Sequence, residues 1–308
     1  MKKKFISTNM KIFILVLFLL SITFYTSGCI VLVQSGYKLS DYADELHLNP
    51  NSFKYDLDLS GFNLDFNASY VSKDYTINDN INEINFNLNS QDIKVISYDG
   101  DSLKVQIKSY NTISSDLSQT ESGNKITLNT RYDTPGNASI SVSIPSKLKD
   151  KTTLKIITSS GDIDVSNLSM DTLNLTTASG EINTVNSNLN YLSLNSSSGS
   201  INFNSMTAST ETKLTSSSGD IHGDGTLGIL NGSTSSGDID LKLVNSLQNV
   251  SLSTQSGSVN LLLPKNSGYK VNYETVSGDL NSHSNNLSAG DESSLININT
   301  VSGDLNIN

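Results

Sequence analysis

From residue 152 onward, apolar and polar positions alternate in short runs, as in Leu154/Ile156, Leu173/Leu175, Leu192/Leu194 and Ile296/Ile298. A period of two is the period of a strand. Each run leads into a Ser-Gly pair, and the apolar position resumes two residues after the glycine. The glycines are Gly161, Gly180, Gly199, Gly219, Gly237, Gly257, Gly278 and Gly303, spaced 19, 19, 20, 18, 20, 21 and 25 residues apart. The aliphatics that follow are Ile163, Ile182, Ile201, Ile221, Ile239, Val259, Leu280 and Leu305. Three residues before each glycine stands a hydroxyl residue: Thr158, Thr177, Ser196, Ser216, Thr234, Thr254, Thr275 or Thr300. Inward parity shifts by one at the glycine, which predicts a corner where the chain bends and keeps its buried face. Glycine suits such a corner because it accepts φ > 0. The unit therefore reads strand, Ser-Gly corner, strand, return turn.

One such unit cannot bury its apolar face alone. Stacked units bury a continuous core, each coil ~4.8 Å above the last, with like residues in ladders. The expected fold is an all-β, single-domain parallel β-solenoid, like a β-helix, with coils of about 19–20 residues. Ile163, Ile182 and Ile201 should be adjacent and shielded from solvent, in one buried column of eight aliphatics. The Thr/Ser column should hydrogen-bond from coil to coil. An antiparallel sandwich also has short, evenly spaced strands. It gives no reason for the same side chains to recur in eight registers.

A degenerate copy lies upstream. Ile84, Phe86 and Leu88 alternate, and Ser90-Gln91-Asp92-Ile93 carries Gln where the repeat has Gly. Asp99-Gly100-Asp101 predicts a hairpin between Ile93/Val95 and Leu103, Val105 and Ile107. Ile126/Leu128 and Ile140/Val142/Ile144 read as strands about the turn Thr134-Pro135-Gly136-Asn137. Residues 81–308 are thus expected to be the solenoid, irregular over 81–150 and regular over 152–308. Residues 34–80 form an extension with possible cap strands. There Phe53, Tyr55, Leu57 and Leu59 alternate before Ser60-Gly61, and Ser40 to Leu46 reads as a short helix.

Residues 1–33 read as an export segment. Lys2, Lys3, Lys4 and Lys11 precede an apolar run from Ile12 to Phe24, the layout of a signal sequence. Thr26-Ser27-Gly28-Cys29 follows and resembles the lipobox of bacterial lipoproteins, which makes Cys29 the lipidation candidate. It departs from that pattern at Thr26, where an aliphatic is usual, and in the apolar Ile30-Val31-Leu32-Val33. The alternative is an uncleaved signal anchor, since Ile12 to Val33 as one helix is long enough to span a bilayer. Both readings place residues 34–308 on the extracytoplasmic face, held at the membrane.

Composition narrows the chemistry. Hydrophobic residues make up 36% and charged residues only 16%, with Ser, Thr and Asn supplying the polarity. These three favour turns and strands over helix. The net charge is −10 and Arg131 is the sole arginine, so no basic surface for nucleic acid is visible beyond the first eleven residues. Cys29 is the sole cysteine, which excludes an internal disulfide, and no cluster of Cys or His at zinc-ligand spacing is visible.

The residue after each glycine gives Asp162, Glu181, Ser200, Asp220, Asp238, Ser258, Asp279 and Asp304, an outward acidic column. Such a column could hold cations. The favoured reading is that these carboxylates cap backbone N–H groups. Ser200 and Ser258 interrupt the column. A lyase would need a basic catalyst, yet the region from Thr152 on has no arginine and its lysines occupy unrelated coil positions. His222, beside Asp220 and Asp224, reads as a solvated ladder residue.

The Ser-Gly-Asp-Ile repeats, the Ile144-Pro145 strand end and the N-terminal segment together resemble a family of bacterial envelope proteins. These are known as adhesins or β-strand-repeat proteins with a domain of unknown function. The resemblance covers about 81–308 and implies a β-solenoid outside the cytoplasm with no established enzymatic activity. The expected role is a non-enzymatic envelope interaction or scaffold module, with no catalytic, metal or cofactor residues. A carbohydrate-active β-helix enzyme and an accessory to envelope-stress sensing are the alternatives. The longest interruption of the repeat, Ser282 to Ser294, is expected to lie over the C-terminal end of the stack, where a bare strand edge would otherwise pair with other chains.

Overall fold

Among the described residues, alternating sequence becomes strand. The computed structural model describes residues 69–308 apart from 79, 110–115, 133, 149–150, 246 and 283–286. The expected membrane segment at 1–33, with Cys29, lies outside the described residues, as do the short helix and the alternating run about Ser60-Gly61. Asp65–Asn308 is one compact unit. Among its described residues every regular element is a strand except the 3₁₀ turn Ser146–Leu148.

The strands stack in two parallel columns joined by the Ser-Gly corners. Thr153–Ile157 pairs in parallel with Thr172–Thr177, and that strand with Asn188–Ser196. Beyond the corner, Ile163–Ser166 pairs with Ile182–Val185, and that strand with the start of Ile201–Thr215. One strand from each column makes a rung, and the described residues form ten rungs. Ile163, Ile182 and Ile201 stand opposite one another in the ladder and are fully buried. Ile221, Ile239, Val259 and Leu305 continue the column with no exposure. Facing them are Leu154, Leu173, Leu192 and Leu230 of the other column, also buried. Burial of one such side chain contributes about 1.5–3 kcal/mol, so the paired columns are the source of stability.

Rung order departs from chain order at both ends. At the C-terminal end, Ser294–Thr300 lies between Val250–Thr254 and Tyr269–Glu274. Likewise Leu305–Ile307 lies between Val259–Leu262 and Leu280–Ser282. The last segment of the chain is therefore inserted, and the 269–282 rung is outermost. Leu280 is in consequence 38% exposed, a correction to the column of eight buried aliphatics, because no further rung among the described residues covers it. At the other end, the 83–98 rung lies between the 125–145 and 153–166 rungs.

The hairpin expected at Asp99-Gly100-Asp101 does not form. Asp92–Tyr98 pairs in parallel with Ser139–Pro145, and Ser102–Ser109 pairs antiparallel with the other edge of that same strand. A strand from later in the chain separates the two halves, which local turn chemistry could not reveal. Ser69–Thr76 then closes this edge against Ser102–Ser109, and Ser118–Ser122 closes the neighbouring column against Lys125–Asn129. These closing strands carry Lys73 and Glu121, and charge on an edge discourages pairing with other chains. At the C-terminal end Ser288–Ala289 lies antiparallel on Tyr269–Lys270, and Val271 N–H donates to Leu287 O at 2.7 Å. Part of the Ser282 to Ser294 interruption thus covers the first half of the outermost strand.

Candidate functional site

The corner is the most repeated chemistry in the molecule. Thr177 Oγ1 accepts from Gly180 N–H at 3.0 Å and donates to the carbonyl of Gly161 in the adjacent rung at 3.3 Å. The same pair of bonds recurs at Thr234 and Thr254. Ser196 repeats it with Gly199 N–H and Gly180 O. These hydroxyls are buried, so a polar column runs through the core with its hydrogen bonds made, as burial requires. In the 83–98 rung Gln91 replaces the device. Its Oε1 accepts from the N–H groups of Asn89 and Ser90, and its Nε2 donates to Pro135 O.

The eight glycines stack on one another through the corner, and none of them has positive φ. The expectation of a left-handed corner is corrected. What demands glycine is space: a Cβ on each would fall within 3.0 Å of a backbone carbonyl in the adjacent rung. Gly180 meets Gly161 in this way, Gly303 meets Gly257, and Gly278 meets Gly303, which again records the inserted last rung. Left-handed residues lie instead in the return turns, at Asn167, Asn186, Ser205 and Asn245. Asn tolerates this conformation best among non-glycine residues.

The acidic column has a structural role. Asp162 Oδ1 accepts from Glu181 N–H at 2.8 Å, Asp220 Oδ1 from Asp238 N–H at 2.9 Å, and Asp304 Oδ1 from Asp279 N–H at 2.8 Å. Each carboxylate caps the N–H at its own position in the neighbouring rung. Two residues further on, a ladder of amides and acids runs outside the same sheet. Asn183 donates to Asp164 at 3.1 Å, Asn202 to Asn183 at 3.1 Å, and Asn306 to Asn260 at 2.6 Å. His222 belongs to this ladder, opposite Asn202 and Asp240 in the strand register. Its Nδ1 lies 3.0 Å from Asp240 Oδ2 and its Nε2 3.8 Å from Asp220 Oδ2. It is bound sideways into the row.

The other face differs, and the sequence reading missed it. Outside the leucine-bearing column, near the C-terminal end, two adjoining depressions share Asn299. The first runs along the stack beside the corner, over Thr215, Ser233 and Ser253. The second is bounded by Asn272, Tyr273, Glu274 and Asn297. Tyr273 Oη donates to Gly303 O at 2.8 Å, which fixes the ring. The signal lay in the column four residues before each glycine, where hydroxyls at Thr215, Ser233 and Ser253 give way to Asn299 and Glu274.

Fold and corner together define an all-β protein of stacked repeating rungs. The chain belongs to the Toastrack DUF4097 family, which matches residues 81–308. No curated protein matches it. Among solved structures it is similar to a candidate cell adhesion protein from Clostridium sporogenes. The two are 12% identical with a TM-score of 0.33, over 78% of this chain and 99% of that one.

Proposed function

We propose that the chain is a non-enzymatic interaction module held at the outer face of the membrane by its N-terminal segment. The observation that carries this reading is the use to which the regular polar residues are put. The acids after the glycines bond backbone N–H groups of neighbouring rungs. His222 is bound sideways between Asp220 and Asp240. Residues engaged in this way hold a rigid, polar, acidic surface for a partner. Attachment follows from the basic start, the apolar run and Cys29. The test is a pull-down of the full chain against envelope fractions, run beside a polysaccharide-depolymerisation screen. Specific capture of an envelope component without turnover is expected. Turnover that disappears on replacing one or two carboxylates would overturn the reading in favour of a carbohydrate-active enzyme.

A further inference from the structure

Hydrogen-bonding capacity is distributed unevenly over this molecule. On the face that carries the acidic column, the amides bond one another from rung to rung. On the opposite side of the corner such bonds also form, as where Asn272 Nδ2 donates to Asn297 Oδ1 at 2.9 Å, but two residues further along these strands, at Asn299, the row is interrupted. Asn299 stands between Ser253 and Glu274 in the strand ladder, yet its amide bonds neither. Among the described residues, the side chains of Gln255, Glu274, Ser233, Ser235 and Ser253 also lack a hydrogen-bond partner. All of them line the two depressions that meet at Asn299, whose volumes are about 480 and 560 Å³. Ligand sites commonly fall within about 300–1,000 Å³.

We infer that this groove binds a linear, uncharged glycan lying along the stack axis. The inference rests on the interaction-module reading above and names its ligand class. Three features of the lining select that class. Among the described residues Glu274 is the only charged one in the lining and no lysine or arginine lines it, so an acidic polysaccharide, a phosphate or a nucleic acid has no cation to meet there. Among the described residues Val301 is the one aliphatic side chain in its lining, so a peptide lacks the row of apolar anchors that helix and strand ligands use. Hydroxyls and amides both donate and accept, which matches a ligand whose own surface is mostly hydroxyl. Geometry adds the direction. Equivalent groups recur from rung to rung at a spacing of about 4.8 Å, comparable to the length of one sugar ring in an extended chain. Asn299, Gln255 and Glu274 then serve as the hydrogen-bonding contacts, with the fixed ring of Tyr273 at the end of the track.

The test is calorimetry on the full chain in detergent with cellohexaose, N-acetylchitohexaose and maltohexaose as probes and hexagalacturonate as the anionic comparison. At least one neutral hexaose should bind. Asn299→Ala combined with Ser253→Ala should weaken it roughly tenfold, the loss expected for one or two hydrogen bonds. Ser235→Trp should abolish binding by filling the groove, and Asn281→Ala on the opposite face should leave it unchanged. Melting curves establish that each variant is folded. If Ser235→Trp is not, the double alanine variant decides. No binding of any neutral hexaose by a chain that still captures an envelope component would overturn the glycan inference and leave the interaction module standing. Binding indifferent to the groove variants, or tighter binding of hexagalacturonate, would overturn it as well. Cleavage of a hexaose would instead overturn the non-enzymatic reading on which it rests.

Discussion

A methyl group on Gly199 would overlap the backbone carbonyl of Gly180 in the adjacent rung, closer than any real Cβ approaches. Because φ at Gly199 is not positive, the requirement for glycine is one of room. Gly199→Ala must push two rungs apart and should destabilise by about 1–3 kcal/mol, the range of overpacking. Gly123 offers the contrast. Its φ is 63° and nothing lies within 4 Å of its absent side chain. Gly123→Asn should therefore be close to neutral, since Asn accepts that conformation. Denaturant unfolding of Gly199→Asn and Gly123→Asn would separate the two causes, and equal losses would contradict the steric account.

Two buried threonines in successive stretches should respond with opposite sign. Thr177→Val removes the acceptor of Gly180 N–H and the donor to Gly161 O, and an unpaired buried group costs about 1–3 kcal/mol. Thr184 is fully buried and its Oγ1 has no partner. Thr184→Val should raise stability by ~1 kcal/mol, because a desolvated hydroxyl without a bond is replaced by a methyl. Unfolding midpoints of the two valine variants give the signs directly.

The sequence made the repeat legible because each rung solves the same packing problem. Ile163, Ile182 and Ile201 face one interior, so selection for burial and fit writes the same residue type at the same offset. Rung order was not legible. Ser302-Gly303-Asp304-Leu305 carries the same motif as Ser277-Gly278-Asp279-Leu280, and a motif records the corner, not the neighbour it stacks on. The Asp99-Gly100 turn misled for a related reason, since local turn chemistry cannot see Ser139–Pro145 entering between the strands it joins. The groove at Asn299 was hidden because it is marked by a ladder interrupted at one position, and residue type alone does not say that Asn272 and Asn297 bond each other while Asn299 bonds neither Ser253 nor Glu274.

Tyr75 should make stability fall in alkali. Its ring is buried and its hydroxyl donates to Leu117 O at 3.3 Å. Burial first, and then the negative charge of Asp116, push the phenol up from 10.0 to about 12, with Arg131 opposing. The neutral form is favoured in the folded state. The contribution is therefore fully present below the unfolded pKa of 10.0 and is lost as pH rises through about 12. Tyr75→Phe should unfold with a shallower pH dependence than wild type across this window. Parallel curves for the two proteins would show that the phenol is not responsible.

The attachment half of the proposal has its own test. If Cys29 carries lipid, wild-type cells should incorporate labelled fatty acid into this chain, and Cys29→Ala should abolish the label and leave an unprocessed precursor. An unlabelled wild type of unchanged mobility would favour the uncleaved anchor. Under either arrangement protease added to intact cells should reach residues beyond Val33, and complete protection would refute an extracytoplasmic location.

The inserted last rung predicts an unusual response to truncation. In a solenoid stacked in chain order, deleting the final coil bares the same kind of edge one step earlier, and the remainder stays closed. Here residues 294–308 are paired on both sides, with Val250–Thr254 and Val259–Leu262 below and Tyr269–Glu274 and Leu280–Ser282 above. Their removal opens two facing edges and cuts the 269–282 rung off from the stack. It also uncovers Val259 and Leu261, buried beneath Leu305 and Ile307 in the intact chain. Bare parallel edges above an apolar column recruit other chains. Deletion of 294–308 should therefore give aggregated or strand-exchanged material, visible by sedimentation, and should cost more than the apolar area of one rung implies. Adding residues 294–308 back as a separate peptide should restore a monomeric, cooperatively melting complex by filling the gap. A truncated chain that stays monomeric and loses only the stability of one rung would show that 269–282 closes directly onto 250–262, and that the insertion does not hold the end of the stack.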